Sequence, residues 1–317
     1  MQNKTNIKQK WAILYRVLKI IVPIGLAIVL YFKFFKNTQF SISNFLLHFK
    51  ELPSYIFFLL ILATTINWFL EALKWNILIN QIEKTTFLKS LKSVLSGVTV
   101  SQLLPFRTGE YIGRLCYVED KNKINAALLS VFGSFSQLLM TLNIGVVGLL
   151  YLQIFQLSNI VISIIIMITI AFNVIYFKPS LLKIKRKHSI IVAINDAISL
   201  LENKKTMYIV FLISLLRYIS FLIPYALLSM YFQLSIHTSL IYYLMASSCV
   251  FLFQTLSPNF ILTDIAIRVT IPTLVFNGIQ QHSFSGVDYL PGMIIYTFNV
   301  LFPTIVGIYY FIKSKTT

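Results

Sequence analysis

Long apolar runs recur along the chain and are separated by short polar or basic segments. Six of these runs, 14–35, 53–79, 126–152, 157–177, 207–232 and 289–312, are each long enough as a helix to cross about 30 Å of hydrocarbon. Two shorter runs, 86–104 and 239–257, contain several serines and are each followed by a proline. The pattern predicts an all-α integral membrane protein with about six spanning helices and two re-entrant helical hairpins.

The re-entrant prediction for 86–104 follows from the positions of the charges around it. If this segment crossed the membrane, the basic region 107–123 would lie on the opposite side from Lys84, Lys89 and Lys92. A hairpin keeps these charges on one side, as the positive-inside rule favours. Non-helical backbone at such depth is tolerated only where it is buried in protein or lines a wet cavity.

A charged motif follows each of the two short runs. Residues 102–114 read QLLPFRTGEYIGR, and residues 254–268 read QTLSPNFILTDIAIR. Aligning Pro105 with Pro258 gives an offset of 258 − 105 = 153, and aligning Arg114 with Arg268 gives 268 − 114 = 154. The order of proline, acid and arginine is therefore kept, which indicates one site assembled from two halves.

The rest of the chain repeats in the same order, including predicted amphipathic helices at 41–52 and 190–201 that would lie in the membrane interface. The predicted organisation is a cytoplasmic tail at 1–10, a first repeat at 11–155, a second repeat at 156–312 and a cytoplasmic tail at 313–317. Three spans in each repeat require the two repeats to have inverted topology. The run at 14–35 is interpreted as a retained span, because no small-residue cleavage site follows it.

Composition agrees with a membrane protein, since 57% of the 317 residues are hydrophobic and only 12% are charged. The formal charge of +17 comes from lysines and arginines that flank the apolar runs, which is typical of cytoplasmic loops and not of a nucleic-acid surface. We expect a multi-pass protein of the cell membrane with both termini cytoplasmic, whose basic face contacts anionic headgroups. Lys33, Lys36 and Lys50 would lie outside in this topology, against the rule.

No cofactor or metal is expected. Cys116 and Cys249 lie far apart without metal-ligand spacing, and the four histidines are isolated. We find no HExxH sequence, no paired aspartates with metal spacing and no arrangement of nucleophile and base, so no catalytic residue is assigned. An enzymatic role is thus left open but is not favoured.

The charges within the apolar regions are the candidate site. Glu110 and Arg114, and likewise Asp264 and Arg268, are four residues apart and can pair on one helical face. These pairs could simply stabilise the start of each helix. Arg107 would then have no local acid, and its guanidinium is suited to bind a phosphate together with nearby backbone N–H groups.

Two further spans carry polar residues that need partners at membrane depth. Arg217 lies near the middle of its span, and we expect Asp264 to be its partner. Glu71 and Asn67 form a polar stripe on the second span. Alternatively, Glu71 snorkels to the interface beside Lys74, which together with Trp75 is expected to anchor the end of that span.

The motif PFRTGEYIGR at 105–114 resembles the P-x-R-x-G-E-x-x-x-R signature of the lysylphosphatidylglycerol synthase transmembrane-region family, which includes the flippase part of the bacterial multiple peptide resistance factor. ALKWNILI at 72–79 and LLRYISFLIPYALL at 215–228 are also similar, and the likeness covers about residues 10–312. The second motif, PNFILTDIAIR, lacks the glycines that family members often carry there. The resemblance implies a membrane domain that binds and translocates, or presents, a lipid. In that family lysyl transfer belongs to a separate soluble domain, and the given chain has no residues left for one.

The leading hypothesis is a flippase-like protein for a membrane phospholipid or a polyprenyl-phosphate lipid. Two other hypotheses stay open. One is a membrane enzyme acting on such lipids, and the other is a non-catalytic subunit of an envelope lipid or glycan assembly complex. Assembly as a homodimer is also left open. We expect the two acid–arginine helices to face one polar cavity at the interface of the repeats. The predicted substrate-binding residues are Pro105, Arg107, Gly109, Glu110, Arg114, Arg217, Pro258, Asp264 and Arg268, with Asn67, Glu71, Gln102 and Gln254 as a second tier.

Overall fold

The computed structural model describes residues 42–102, 104, 108–153, 158–184, 189–232, 239–257, 264–280 and 289–314, and this part of the chain is helical without strands. The first-half helices are α1 (Ile42–Lys50), α2 (Ser54–Ile79), α3 (Phe87–Ser101), α4 (Gly109–Leu115) and α5 (Lys123–Leu152). They are followed by α6 (Asn159–Phe177), α7 (Ser189–Leu201), α8 (Lys204–Phe232), α9 (Leu240–Leu256) and α10 (Asp264–Gln280). The last element comprises α11 (Leu290–Tyr296), a π-helical turn (Thr297–Leu301) and α12 (Phe302–Lys313).

Five of the described helical segments are long and apolar enough to cross a membrane. They are Ser54–Ile79, Asp120–Leu152, Asn159–Phe177, Lys204–Phe232 and Leu290–Lys313, and they match five of the six predicted spans. The remaining predicted span, 14–35, lies outside the described residues. The multi-pass architecture predicted from the apolar runs is therefore confirmed for the described part.

Helices α3 and α4 pack against each other as a tight hairpin. α3 has 15 residues, which corresponds to about 22 Å of helix at 1.5 Å per residue, less than a membrane span. A Cβ atom at Gly113 would lie 2.5 Å from the backbone oxygen of Ser96, and one at Gly109 would lie 2.2 Å from that of Val100. Only glycine permits this backbone approach, so these two positions set how closely α4 lies against α3.

In the repeat expected from the sequence, α1 to α5 would correspond to α7 to α12. The long helices α2 and α8 pack directly against each other. The short helix α3 packs extensively against α12, and the short helix α9 packs extensively against α5. Each short helix is thus held by the last long helix of the other half, which interlocks the halves.

Two positions near the end of α2 differ from the sequence expectation. Trp75 was expected to anchor the span at the membrane interface, but it is 1% exposed and its Nε1 donates to the Ser93 hydroxyl at 3.1 Å. Lys74 is also fully buried, with 0% exposure. These interfacial assignments are wrong because α3 and α5 pack over this end of α2 and cover both side chains.

Candidate functional site

The carboxylate of Glu71, on α2, lies at the centre of a buried cluster of charges. Its oxygens are 2.8 Å from Lys74 Nζ, 2.6 Å from Arg114 Nη2 and 2.7 Å from Arg217 Nη1. Glu71 is only 2% exposed. One carboxylate therefore joins cations from α2, α4 and α8, and so connects both halves of the chain.

The cations around Glu71 have further partners that offset the cost of their burial. Lys74 Nζ donates to the backbone oxygen of Gly133 at 3.0 Å. Arg114 also pairs with Glu110, one turn earlier on α4, and its guanidinium lies 5.2 Å from the centre of the Trp75 ring. Buried ions are tolerated when they are paired and their hydrogen-bonding groups are satisfied. The ion pairs from α2, α4 and α8 and the backbone contact from α5 meet the first of these requirements, whereas Arg114 Nε makes no hydrogen bond within the described residues.

A chain of amide hydrogen bonds extends the cluster toward the π-helical turn. Arg217 Nε donates to Asn67 Oδ1 at 2.8 Å, and Asn67 Nδ2 donates to Asn299 Oδ1 at 3.1 Å. The backbone oxygen of Asn299 accepts from Trp68 Nε1 at 3.0 Å. Single π-helical turns within α-helices occur frequently at functional sites. Trp68 thus fixes the backbone of this turn, and the turn aims the Asn299 amide at Asn67.

A cavity of about 330 Å³ lies beside this cluster. Its charged lining residues are Glu71, Lys74, Glu110, Arg217 and Arg268. The neutral polar lining residues are Asn67, Tyr111, Ser134, Gln137, Thr141, Gln254, Thr255, Tyr296 and Asn299. Helices α4 and α10, which carry the two repeated motifs, both contribute to this one cavity.

The predicted site residues fall into three groups. Asn67, Glu71, Glu110, Arg217, Gln254 and Arg268 line the cavity, and Arg114 lies behind it, 1% exposed. Gly109 forms the α3–α4 contact, and Gln102 accepts a hydrogen bond from the Tyr296 hydroxyl at 3.4 Å. Pro105, Arg107 and Pro258 lie outside the described residues, and only the backbone of Asp264 is described. Substrate binding by any of these residues stays a prediction.

The structure tests one of two expectations about partners. Glu71 lies beside Arg217. The expected pairing of Arg217 with Asp264 stays a prediction, because the side chain of Asp264 lies outside the described residues. The alternative in which Glu71 snorkels to the interface is wrong, because Glu71 and Lys74 are both buried and paired with each other. The signal was present in the sequence, since an acid and a base three residues apart within an apolar span can neutralise one another.

Several cavity residues were not predicted from the sequence. Tyr296 presents its ring to Arg268, whose guanidinium carbon is 4.5 Å from the ring centre. Asn299 lies in the segment TFN (297–299), which repeats TLN at 141–143, so the repeat itself marked it. Gln137 and Ser134 carry no comparable sequence signal, because isolated polar residues are common in long helices.

Within the described residues, no group of three histidine, cysteine, aspartate or glutamate side chains could hold a metal ion. The described charges of the site are the cations Lys74, Arg114, Arg217 and Arg268 and the anions Glu71 and Glu110, or 4 − 2 = +2. Adding Asp264, one turn before Arg268, leaves 4 − 3 = +1. The site therefore suits an anionic ligand.

We predict that Glu71→Gln strongly destabilises the protein. Removing the carboxylate takes from Lys74, Arg114 and Arg217 the acid that they share, and breaking a buried ion pair costs about 3 kcal/mol or more. Thermal unfolding of the purified protein in mild detergent measures this loss. Glu119→Gln is the matched control, because Glu119 is exposed and pairs with Lys121 at the surface. Equal melting temperatures for the two variants would refute the central role of Glu71.

Comparison with known protein families gives a match over most of the chain. Residues 20–307 match the family described as lysylphosphatidylglycerol synthase TM region, which is nearly the whole chain. No curated protein matches the chain. No solved structure matches it either. The apolar helices, the motif around Glu110 and Arg114, and the match over residues 20–307 together show that the chain belongs to the lysylphosphatidylglycerol synthase transmembrane-region family.

Proposed function

We propose that this protein binds the phosphate-bearing headgroup of a membrane lipid in the cavity beside Glu71 and moves that lipid across the membrane. The observation that carries the proposal is the convergence of cations from four helices, Lys74 on α2, Arg114 on α4, Arg217 on α8 and Arg268 on α10, around one cavity. Membership of a membrane family related to lipid metabolism agrees with it.

The charge of the cavity supports an anionic headgroup. Ionisable residues at membrane depth are costly and usually have a functional role. The four described cations of the site exceed the two described acids, Glu71 and Glu110, so a headgroup phosphate would balance the remaining positive charge. Guanidinium groups bind two phosphate oxygens at once, which suits Arg217 and Arg268 as phosphate ligands.

The size of the cavity supports recognition of the headgroup and not of the whole lipid. Its volume of about 330 Å³ lies at the lower end of the ~300–1,000 Å³ range of ligand pockets. Acyl chains would then remain in the bilayer while the polar group enters the protein. Lipid translocation requires this separation of the headgroup, which enters the protein, from the acyl chains, which stay in the bilayer.

The arrangement of the short helices supports a transporter-like design. In our proposal α3–α4 and α9–α10 enter the membrane from opposite sides as re-entrant hairpins, related by inverted topology. Two observations fit this proposal. Each short helix packs against the last long helix of the other half, and α4 packs closely against α3 at Gly109 and Gly113. Discontinuous helices at a repeat interface commonly form substrate sites in transporters.

The inverted topology predicts that the basic segment at 178–188 is cytoplasmic and that the segment at 277–287, which begins in the last turn of α10, is outside. Single cysteines at Lys185 and Gln280, in a background without Cys116 and Cys249, should react with a membrane-impermeant thiol reagent from opposite sides. Labelling of both positions from the same side would remove the inverted-repeat proposal.

Lipid binding is tested most directly at Arg268. We expect Arg268→Gln to weaken binding of dioctanoyl phosphatidylglycerol about tenfold or more, because a hydrogen-bonded charge is lost. Native mass spectrometry of the purified protein measures the bound fraction, and a dithionite assay with fluorescent lipid in proteoliposomes measures transfer. Arg217 is less suitable, since it also holds Glu71 in place.

Arg186→Gln is the matched control, because Arg186 belongs to the basic loop at 178–188 and to no described part of the cavity. It should leave binding and transfer unchanged. Equal loss in both variants would show that bulk positive charge, and not the cavity, attracts the lipid. Binding without any transfer in the unaltered protein would favour lipid presentation.

A further inference from the structure

We infer that Lys74 is a proton-binding site linked to the cavity, so that the protein takes up one proton together with each phosphodiester lipid that it binds. The inference rests on the proposed function and adds a coupling ion to it. It follows from the identity of the cations around Glu71, from the charge balance of the cluster and from the position of Lys74 on the cavity wall.

Lys74 differs in its chemistry from the other cations around Glu71. Arginine stays protonated in proteins, so Arg114 and Arg217 keep their positive charge. A lysine can lose its proton and become a neutral amine. Among the described members of the cluster, Lys74 is therefore the cation whose charge can change.

Loss of this proton preserves the contacts of the cluster. The Glu71 carboxylate still has Arg114 at 2.6 Å and Arg217 at 2.7 Å. A neutral Lys74 amine retains two N–H groups, which can donate to Glu71 at 2.8 Å and to the backbone oxygen of Gly133 at 3.0 Å. Protonated and neutral Lys74 thus fit the same arrangement of helices, as a site that exchanges protons within a folded protein requires.

The charges of the cluster link this proton to an anionic ligand. With Lys74 protonated, three cations face the acids Glu71 and Glu110, or 3 − 2 = +1, and with Lys74 neutral the sum is 2 − 2 = 0. Arg268 and Asp264 on α10 add one charge of each sign and leave this sum unchanged. A net charge at membrane depth is costly. The cluster is therefore balanced either with neutral Lys74 and no ligand, or with protonated Lys74 and one phosphodiester, which carries a single negative charge.

Lys74 lies where its proton can be exchanged. Lys74 and Glu71 both line the cavity of about 330 Å³, which is large enough for several water molecules at about 30 Å³ each. Lys74 Nζ is 2.8 Å from a Glu71 oxygen, so the proton can leave through this carboxylate. The N–H bond of the ammonium breaks as an O–H bond forms on Glu71, and the carboxyl then releases the proton to water in the cavity.

Other titratable and charged groups around the cavity determine which controls are needed. On the described elements they are Glu71 on α2, Glu110, Tyr111 and Arg114 on α4, Arg217 on α8 and Arg268 on α10. Helix α5 contributes only neutral groups, including the backbone oxygen of Gly133 that contacts Lys74. Variants of Lys74 must therefore be compared with a variant of a cavity carboxyl.

Isothermal titration calorimetry of the purified full-length protein in mild detergent measures the proton directly. Dioctanoyl phosphatidylglycerol is the probe, because its phosphodiester has no second proton to lose, unlike a phosphate monoester. Titrations from about pH 6 to about pH 9.5, in buffers of different ionisation enthalpy, give the number of protons taken up. We expect uptake of up to one proton per lipid. The affinity should be constant at low pH, where Lys74 is protonated with and without lipid, and should fall by up to about tenfold per pH unit as the pH rises.

Four variants assign the proton. Lys74→Arg should bind without proton uptake and with an affinity independent of pH, because arginine keeps its charge. Lys74→Met covers the case in which the larger arginine impairs folding, and it should bind about tenfold more weakly at low pH, also without proton uptake. Glu110→Gln should change the affinity but keep the proton uptake. Lys121→Arg is the matched control and should behave as the unaltered protein, because Lys121 is exposed and pairs with Glu119 at the surface.

The inference is overturned if the unaltered protein binds the lipid without proton uptake and with the same affinity across this pH range. It is also overturned if Lys74→Met keeps the uptake, which would assign the proton to a carboxyl of the cluster. In both cases lipid binding, and with it the proposed function, would still stand. Absence of lipid binding at every pH would instead refute the proposed function, and this inference with it.

Discussion

The ion cluster around Glu71 is the interaction on which the rest of this structure depends. A single buried carboxylate contacts Lys74, Arg114 and Arg217, and these residues come from three helices that belong to both halves of the chain. Such a cluster is stable only if all its members are in place, because each unpaired charge would be costly at this depth. Formation of the cavity and association of the two halves are therefore coupled through one side chain.

Close backbone packing makes this cluster possible. Gly109 and Gly113 bring α4 against α3, which places Glu110 on the cavity and Arg114 behind it within reach of Glu71. Arg217 is oriented from the other side through Asn67, Asn299 and the π-helical turn. Charges from distant parts of the sequence thus meet because small residues and a local helix distortion bring their helices together.

The helices were largely predictable from the sequence. A membrane span needs a continuous apolar run, and the polar segments that end each run are visible in the sequence. The pairing of charges was less predictable. Glu110 and Arg114 pair as their spacing indicated. The contact between Arg217 and Glu71 was not predicted, and Lys74 is buried where an interfacial anchor was expected. Spacing along one helix determines local pairs, whereas partners on different helices depend on packing angles that the sequence does not state. The position of Gln137 on the cavity wall could be recognised only from the structure.

In our proposal, the cluster of Glu71 and its cations builds a lipid headgroup site. A cryo-electron microscopy structure of the protein in nanodiscs that contain phosphatidylglycerol tests it most directly. We expect phosphate density between Arg217 and Arg268, with Glu71 still contacting Lys74, Arg114 and Arg217. A structure in which Glu71 is separated from these cations, or in which the headgroup binds outside the cavity, would contradict it.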